Sequence, residues 1–160
     1  MGGILVKQKL ALCTKDTTSY YQFNNKKFYC KVIDIYDGDT ITIAVQLNKK
    51  IYKYKVRMYG YDSPEMKPRL NNPDRDAIII QAKKAKSVIS ELILNKIVVI
   101  HIQPQTWDKY GRLLGTIYSK IIPGLTMKSY NLNINEYMIE KGYGYPYYGG
   151  TKHNNLIRSM

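Results

Sequence analysis

The stretch VIDIYDGDTITIAV, residues 32–45, joins two apolar β-prone segments through the turn DGD. Asp-Gly is a common hairpin turn, so local geometry explains the first two residues of the turn. It does not explain Asp39. Alternate side chains of a strand share a face, so Asp39 would head the face that Ile41 and Ile43 turn to the core. The sequence therefore predicts a carboxylate at the rim of a buried sheet face, where packing alone gives it no role.

The hydrophobic pattern around this stretch predicts a small barrel. The β-prone runs are FYCKVIDIY (28–36), TITIAVQL (40–47), IYKYKVRMYGY (51–61), IVVIHI (97–102) and LLGTIYSK (113–120). Apolar residues at helical spacing predict helices over about 76–94 and 133–141, the second ended by Gly142. We expect a mainly β fold with α: a five-stranded Greek-key barrel of the OB type with two to three helices.

The composition points to a polyanionic partner. The 160 residues include 25 Lys and Arg against 12 Asp and Glu, which gives a net charge of +13. Such an excess favours nucleic acid first and an anionic membrane second, and a general solubility charge is the alternative. The chain also has 16 tyrosines. Tyrosines can stack on bases, but codon bias in an AT-rich genome would produce the same abundance.

Other site classes and compartments find little support. Cys13 and Cys30 do not have the spacing of a zinc site, and His101 and His153 are far apart in the sequence. The N-terminus has its apolar residues ahead of its lysines, the wrong order for a signal peptide. No run approaches the ~20 apolar residues of a membrane span. We expect an intracellular protein with no membrane contact.

Six charged residues have no packing role and lie at predicted strand ends or in the loops that follow them. They are Asp39, Arg57, Asp62, Glu65, Asp108 and Arg112. Strand ends of a five-stranded barrel can gather at one mouth, where the acidic groups would suit a hard cation, Ca²⁺ or Mg²⁺. The arginines would be repelled unless an anion lay between, and phosphate fits a guanidinium best. Each segment alone is also typical of a surface turn, so the prediction depends on their combination.

The order DGDT, then VRMYGYDSPE, then DKYGR resembles the staphylococcal nuclease (thermonuclease) family, from about Phe28 to Tyr148. The segment NINEYMIEKGY is similar to the family's C-terminal helix and trailing glycine. That family has an OB-type barrel and cleaves DNA and RNA with Ca²⁺. The resemblance implies an N-terminal extension over 1–27, a nuclease domain over 28–150 and a C-terminal tail over 151–160.

The resemblance implies the metal ligands. Asp39 and Asp62 would hold Ca²⁺ through their carboxylates, and Ser63 would hold it through its backbone carbonyl. The family often has threonine where this chain has Ser63. The hairpin after Asp39 and the loop near Pro123 are longer than in the family core, which leaves the charged set intact and affects the loops around it.

The resemblance also implies the catalytic residues. Arg57 and Arg112 would bind the scissile phosphate and stabilise the charge that grows in the transition state. Glu65 would position or deprotonate the attacking water. The 5′ oxygen would leave, giving 3′-phosphate products.

Basic and aromatic residues beside these segments are predicted to bind substrate. Lys53 and Lys55 lie on the third strand, Lys109 and Tyr110 in DKYGR, and Tyr148 after the last helix. If lysines follow the backbone and tyrosines stack on bases, single strands should bind better than duplex. Contacts to the backbone imply low sequence specificity. The alternative is that these lysines are only a solvated strand face.

The competing hypothesis is an OB-type nucleic-acid-binding module that has lost catalysis. The charged set discriminates between the two, because a module without metal chemistry has no use for it. All five charged side chains that the resemblance requires are present together. We therefore expect a Ca²⁺-dependent nuclease, acting on DNA and RNA as a monomer.

Overall fold

The computed structural model describes residues 2–17, 23–120 and 130–149. In chain order the elements are α1 (Gly2–Ala11), β1 (Lys27–Ile35), β2 (Thr40–Leu47), β3 (Lys50–Met58), β4 (Gly60–Asp62), α2 (Arg75–Ile93), β5 (Ile97–Trp107), β6 (Leu113–Lys120), β7 (Tyr130–Asn133), α3 (Ile134–Glu140) and β8 (Tyr145–Tyr147). The loop near Pro123 and the predicted tail 151–160 lie outside the described residues.

Five strands form a closed barrel. The sheet order is β3-β2-β1-β5-β6 with antiparallel neighbours, and a parallel pairing of β3 with β6 closes it, Val56 lying opposite Leu113. β7 extends the sheet beyond β6, and β4 pairs separately with β8. The predicted OB-type barrel is confirmed, with three helices in the described part of the chain.

The DGD turn joins β1 to β2 as the opening stretch predicts. Asp37 Oδ1 accepts hydrogen bonds from the backbone N–H of Asp39 at 3.1 Å and of Thr40 at 2.7 Å, which fixes the turn. Ile41 and Ile43 are fully buried inside the barrel, and Asp39 is 7% exposed. The carboxylate therefore lies at the rim of the core, as the alternation predicts.

The β2–β3 hairpin determines which face of β3 carries its positive charges. Leu47 lies opposite Lys50, and the two residues between them have positive φ, as a tight two-residue turn requires. In this register Arg57 lies opposite Thr40 at the barrel mouth, and Lys53 and Lys55 share its face of the strand.

The third predicted strand is divided at Gly60. Its φ of +75° suits glycine, and a Cβ there would lie 3.0 Å from the ring of Tyr148. The chain turns here and continues as the short strand β4, which carries Asp62. Sequence periodicity misses both β4 and its partner β8, because three residues are too few to show an alternation.

Helix α2 covers the barrel with one apolar face. Its buried residues are Ile78, Ala82, Ala85, Ile89 and Ile93, and Leu92 is half-buried against the core. Asn95, with φ of 62°, follows the helix as the predicted stop. At the edge of this face Lys86 Nζ donates to the carbonyl of Tyr36 at 2.9 Å, which ties α2 to the DGD turn.

Helix α3 is capped at both ends. The Asn133 side chain accepts from the N–H groups of Asn135 and Glu136, and the predicted Gly142 follows the helix with φ of +72°. The N–H of Tyr143 then bonds the carbonyl of Met138 at 2.9 Å, the pattern of a Schellman ending.

Asn135 is a buried residue of α3 that sequence reasoning missed. Its Oδ1 accepts from Ile117 N at 3.0 Å, and its Nδ2 donates to the carbonyls of Tyr59 and Gly115. One amide thus satisfies backbone groups on β6 and at the β3–β4 junction, where an unpaired polar group would be costly. It holds β4, and with it Asp62, against the barrel.

The N-terminal extension contains helix α1, whose side chains are exposed from residue 3 onward. Among the described residues ahead of the predicted boundary at residue 28, Phe23 contacts the barrel. Phe23 is buried and makes edge-to-face contacts with Phe28, Tyr54 and Trp107. Among the helices that the structure describes, none is long and apolar enough to cross a membrane.

Candidate active site at the barrel mouth

Asp39, Arg57 and Asp62 form an ion-paired group that we call the buried triad. Arg57 Nη1 contacts Asp39 Oδ2, and Arg57 Nη2 contacts Asp62 Oδ1. The three residues are 7%, 9% and 1% exposed. They come from the DGD turn, the end of β3 and β4, so the barrel closure and the turn at Gly60 bring them together.

The Asp39 carboxylate is held on both oxygens. Its Oδ1 accepts from Thr40 Oγ1 at 2.9 Å, and its Oδ2 accepts from Ser63 N at 3.0 Å and Ser63 Oγ at 3.2 Å. Gly38 makes this approach possible, because a Cβ there would lie 2.5 Å from Ser63 Cβ. Ser63 therefore touches Asp39 through its N–H and hydroxyl, and its carbonyl is the atom that the resemblance assigns to the metal.

Burial and charge act in opposite directions on these carboxyls. Burial alone would raise the pKa of Asp39, but the Arg57 guanidinium and the Ser63 N–H hold it below its ordinary value. Asp37 has no such cation. Burial and the neighbouring Asp39 charge raise the pKa of Asp37 to about 6. The triad thus keeps Asp39 ionised inside the protein.

Asp62 has a second partner that sequence reasoning missed. Tyr145 lies opposite Asp62 in the β4–β8 pair, and its hydroxyl donates to Asp62 Oδ2 at 2.5 Å. Burial, together with this hydrogen bond, raises the pKa of Tyr145, so the hydroxyl keeps its proton. The tyrosines of the segment YGYPYY could not be ranked from sequence, because the pairing of β8 decides which one faces the carboxylate.

Arg112 joins the triad through Thr40. Its Nη1 donates to Thr40 Oγ1 at 3.0 Å, and Thr40 in turn donates to Asp39. The Asp108 carboxylate holds Arg112 in place by accepting two hydrogen bonds from it, one from the backbone N–H at 2.9 Å and one from Nε at 2.6 Å. The Arg112 side chain is 24% exposed, and its guanidinium lies 5.5 Å from the ring centre of Tyr110. It is a second cation at the mouth, more open to solvent than Arg57.

The remaining predicted site residues are exposed, and we call them the outer group. They are Glu65, Lys53, Lys55, Lys109, Tyr110 and Tyr148. Glu65 lies in the loop after Ser63, where its carboxylate accepts from Lys67 N at 3.4 Å. Lys109 lies 5.0 Å from the ring centre of Tyr110, and Tyr148 packs edge-on against Tyr59.

One expectation about Arg57 is wrong. Its place on the face of Lys53 and Lys55 predicts a side chain that lies off the core, so that its replacement would leave folding nearly unaffected. The structure buries it between two carboxylates, because β4 folds back over the end of β3. Arg57 is therefore a structural as well as a candidate catalytic residue.

The ligand atoms at the barrel mouth are of the chemical type that a hard cation prefers. Two buried carboxylates and a nearby carbonyl are the oxygen ligands that Ca²⁺ takes. In residues 2–17, 23–120 and 130–149, no three Asp, Glu, His or Cys side chains converge on one point. Glu65 therefore does not converge with Asp39 and Asp62 on one point. Arg57 supplies the positive charge between the two aspartates.

A protein-family model matches the chain from β3 onward. The chain belongs to the staphylococcal nuclease homologues, whose family model it matches over residues 55–159. The match begins within β3, so the β1–β2 hairpin and Asp39 lie before it, whereas Arg57, Asp62, Glu65 and Arg112 lie within it.

Two curated relatives are similar to the chain over most of its length. An uncharacterized protein of Methanocaldococcus jannaschii is 29% identical over 151 residues, covering 82% of this chain and 68% of the relative. An uncharacterized endonuclease of Haemophilus influenzae is 28% identical over 124 residues, covering 78% of this chain. The chain spans 55% of the length of that endonuclease.

Proposed function

We propose that the protein is a Ca²⁺-dependent nuclease that hydrolyses phosphodiester bonds of DNA and RNA with low sequence specificity and leaves 3′-phosphate products. The observation that carries the proposal is the buried triad at the barrel mouth, with Arg112 linked to it through Thr40. Membership of the family and the endonuclease name of one relative support the same reaction class.

A cation fits this site by the chemistry of its donors. Asp39 and Asp62 would hold it through their carboxylates, and Ser63 through its carbonyl. When bound, Ca²⁺ would neutralise a non-bridging phosphate oxygen. The hydrogen bonds of Ser63 and Thr40 to Asp39 restrict that carboxylate before any ligand arrives, so little reorganisation would be needed.

The two arginines would bind and stabilise the phosphate. Each guanidinium offers a planar set of donors that matches phosphate oxygens. Arg57 is fixed by the triad and Arg112 by Asp108, so both would meet the substrate at defined positions. Donors held in this way stabilise charge that develops in the transition state.

Glu65 would position or deprotonate the attacking water. It lies two residues after Ser63 and is exposed, so solvent reaches its carboxylate. Its carboxylate accepts a hydrogen bond from the N–H of Lys67 at 3.4 Å, a weak contact that would not hold it in place. We infer that substrate binding orders this residue.

The outer face of β3 would carry the substrate strand. Lys53, Lys55 and Arg57 share one face at every second residue, a step of about 7 Å. A row of cations that ends at the triad would guide the flexible phosphate backbone of a single-stranded nucleic acid into the site. Tyr110 beside Arg112, with Lys109 over its ring, offers an exposed aromatic surface there.

A binding module without catalysis is the second candidate. Burying ionised side chains is costly unless they are paired, and binding a backbone needs no buried carboxylates. The triad therefore favours the nuclease.

The test is degradation of plasmid and RNA with Ca²⁺, with Mg²⁺ and with a calcium-selective chelator. We expect activity with Ca²⁺, loss in chelator and recovery on adding Ca²⁺, with 3′-phosphate ends that a phosphatase removes. Asp39→Asn should be inactive, and Asp34→Asn, an exposed aspartate of β1, is the matched control. Full activity in chelator would contradict the metal role, and binding of nucleic acid without cleavage under any condition would favour the module.

A further inference from the structure

The carboxylate of Asp62 has a different partner on each oxygen. Oδ1 pairs with Arg57 inside the triad, and Oδ2 accepts the hydroxyl of Tyr145 at 2.5 Å. Asp62 is 1% exposed, so water does not compete freely for either oxygen. One contact from β3 and one from β8 thus restrict the rotation of this carboxylate.

The fold places the Tyr145 hydroxyl with little freedom. Gly144 packs against the backbone carbonyl of Asp62 and the ring of Tyr61, and a Cβ at this position would clash with both. The hydroxyl of Tyr61, which is fully buried, donates to the carbonyl of Tyr143 at 3.0 Å. These contacts fix β8 on β4, so that Tyr145 lies directly opposite Asp62.

A carboxylate without the second contact would behave differently. Guanidinium groups bind both oxygens of a carboxylate when both are available. With Oδ2 released, Asp62 could turn both oxygens to Arg57 and close the triad. The tyrosine hydroxyl holds Oδ2 away, which leaves the Asp62 and Asp39 carboxylates facing the same guanidinium from two sides.

We propose that Tyr145 is a positioning residue that orients the Asp62 carboxylate for a divalent cation, so that the segment after α3 contributes to metal affinity. This rests on the proposed Ca²⁺ site. Partners that orient a metal ligand typically change affinity by 10–100-fold when removed. The ring of Tyr145 is not required, only its hydroxyl.

The test measures Ca²⁺ binding without nucleic acid, by competition with a chromophoric chelator. Tyr145→Phe removes one hydroxyl and keeps the ring, and its Kd for Ca²⁺ should rise by about tenfold or more. Tyr143→Phe is the matched control: it removes a hydroxyl from the same segment and keeps both the ring that packs against the core and the backbone carbonyl that Tyr61 contacts. Its Kd should stay within about twofold. Equal Kd values for Tyr145→Phe and wild type would overturn the inference while leaving the proposed function intact; a wild type that binds no Ca²⁺ would overturn both.

Two further measurements separate orientation from loss of structure. On an Asp62→Ala background, adding Tyr145→Phe should leave the remaining Ca²⁺ affinity unchanged, because the hydroxyl acts only through Asp62. At saturating Ca²⁺ the kcat of Tyr145→Phe should return to within about threefold of wild type, since lost affinity is then compensated by concentration. An additive effect on the Asp62→Ala background, or a kcat that stays low at saturating Ca²⁺, would show that Tyr145 acts elsewhere.

Discussion

The two halves of the candidate site differ in how they are built. The charged atoms of the buried triad are held by one another and by Thr40, Ser63 and Tyr145. The outer group is exposed, and its side chains rest on the surface or on one another. The first half is organised by folding, whereas the second would be organised by substrate. Changes in the triad should therefore affect stability and catalysis together, whereas changes in the lysines and tyrosines of the outer group should affect binding alone.

The largest difference should appear between the buried arginine of the triad and the more exposed Arg112 beside it. Arg57→Ala leaves two buried carboxylates without their cation, and breaking such a pair costs about 3–5 kcal/mol of unfolding free energy. Arg112→Ala removes a more exposed pair with Asp108, which should cost about 1 kcal/mol or less. Urea unfolding of both variants checks this. Equal losses would mean that the triad is no more dependent on its cation than the exposed pair.

The second prediction concerns the shape of the buried cation. Arg57→Lys keeps the charge, so it should retain much of the stability that Arg57→Ala loses. It loses the planar pair of donors, and turnover should fall by at least about 10²-fold, equivalent to about 2.7 kcal/mol of barrier. Single-turnover kinetics at saturating Ca²⁺ measure this. A lysine variant within twofold of wild type would remove Arg57 from catalysis.

The third prediction uses the carboxyl beside the triad that has no cation of its own. Burial and Asp39 raise the pKa of Asp37 to about 6, so the folded protein holds this proton more tightly than the unfolded chain does. Its contribution to stability is present at low pH and is lost as the pH rises from about 4 to 6. Asp37→Asn should therefore be more stable than wild type at pH 8, by about 1–2 kcal/mol after allowing for partial exposure.

The pH dependence is the control for that prediction. The asparagine can still accept the two backbone N–H bonds of the turn, so the gain should come from the removed charge and should vanish below about pH 4. Thermal unfolding across this range measures it. A gain that is equal at pH 4 and pH 8 would assign the effect to the turn rather than to ionisation.

The same contrast separates what the sequence predicts from what it does not. The strands of the barrel, the DGD turn and the apolar face of α2 can be predicted from the sequence, because each depends on residues that are close together in the chain. The sequence identifies the triad members as charged residues without a packing role, but it does not predict that Arg57 is buried. That burial depends on β4, a strand of three residues that starts at a positive-φ glycine. Tyr145 was missed for the same reason, since only the pairing of β8 distinguishes it from its neighbouring tyrosines.

The smallest effect should come from the outer group. Lys53 and Lys55 lie in register on the face of Arg57, and if they contact a single strand, each should add about −0.7 to the slope of log K against log salt. Replacing both with glutamine should therefore flatten the slope by about 1.4, weaken binding equally for all sequences, and leave stability unchanged within about 0.5 kcal/mol. Oligonucleotide titration in chelator with the Glu65→Gln protein prevents cleavage during the measurement. The matched control replaces Lys7 and Lys9, exposed lysines of α1, and should keep the wild-type slope. Equal flattening in both double variants would mean that net charge, and not the lysines of β3, holds the nucleic-acid strand. An unchanged slope in both would mean that the lysines of β3 do not contact the substrate, and binding would then be assigned to the barrel mouth with its two arginines.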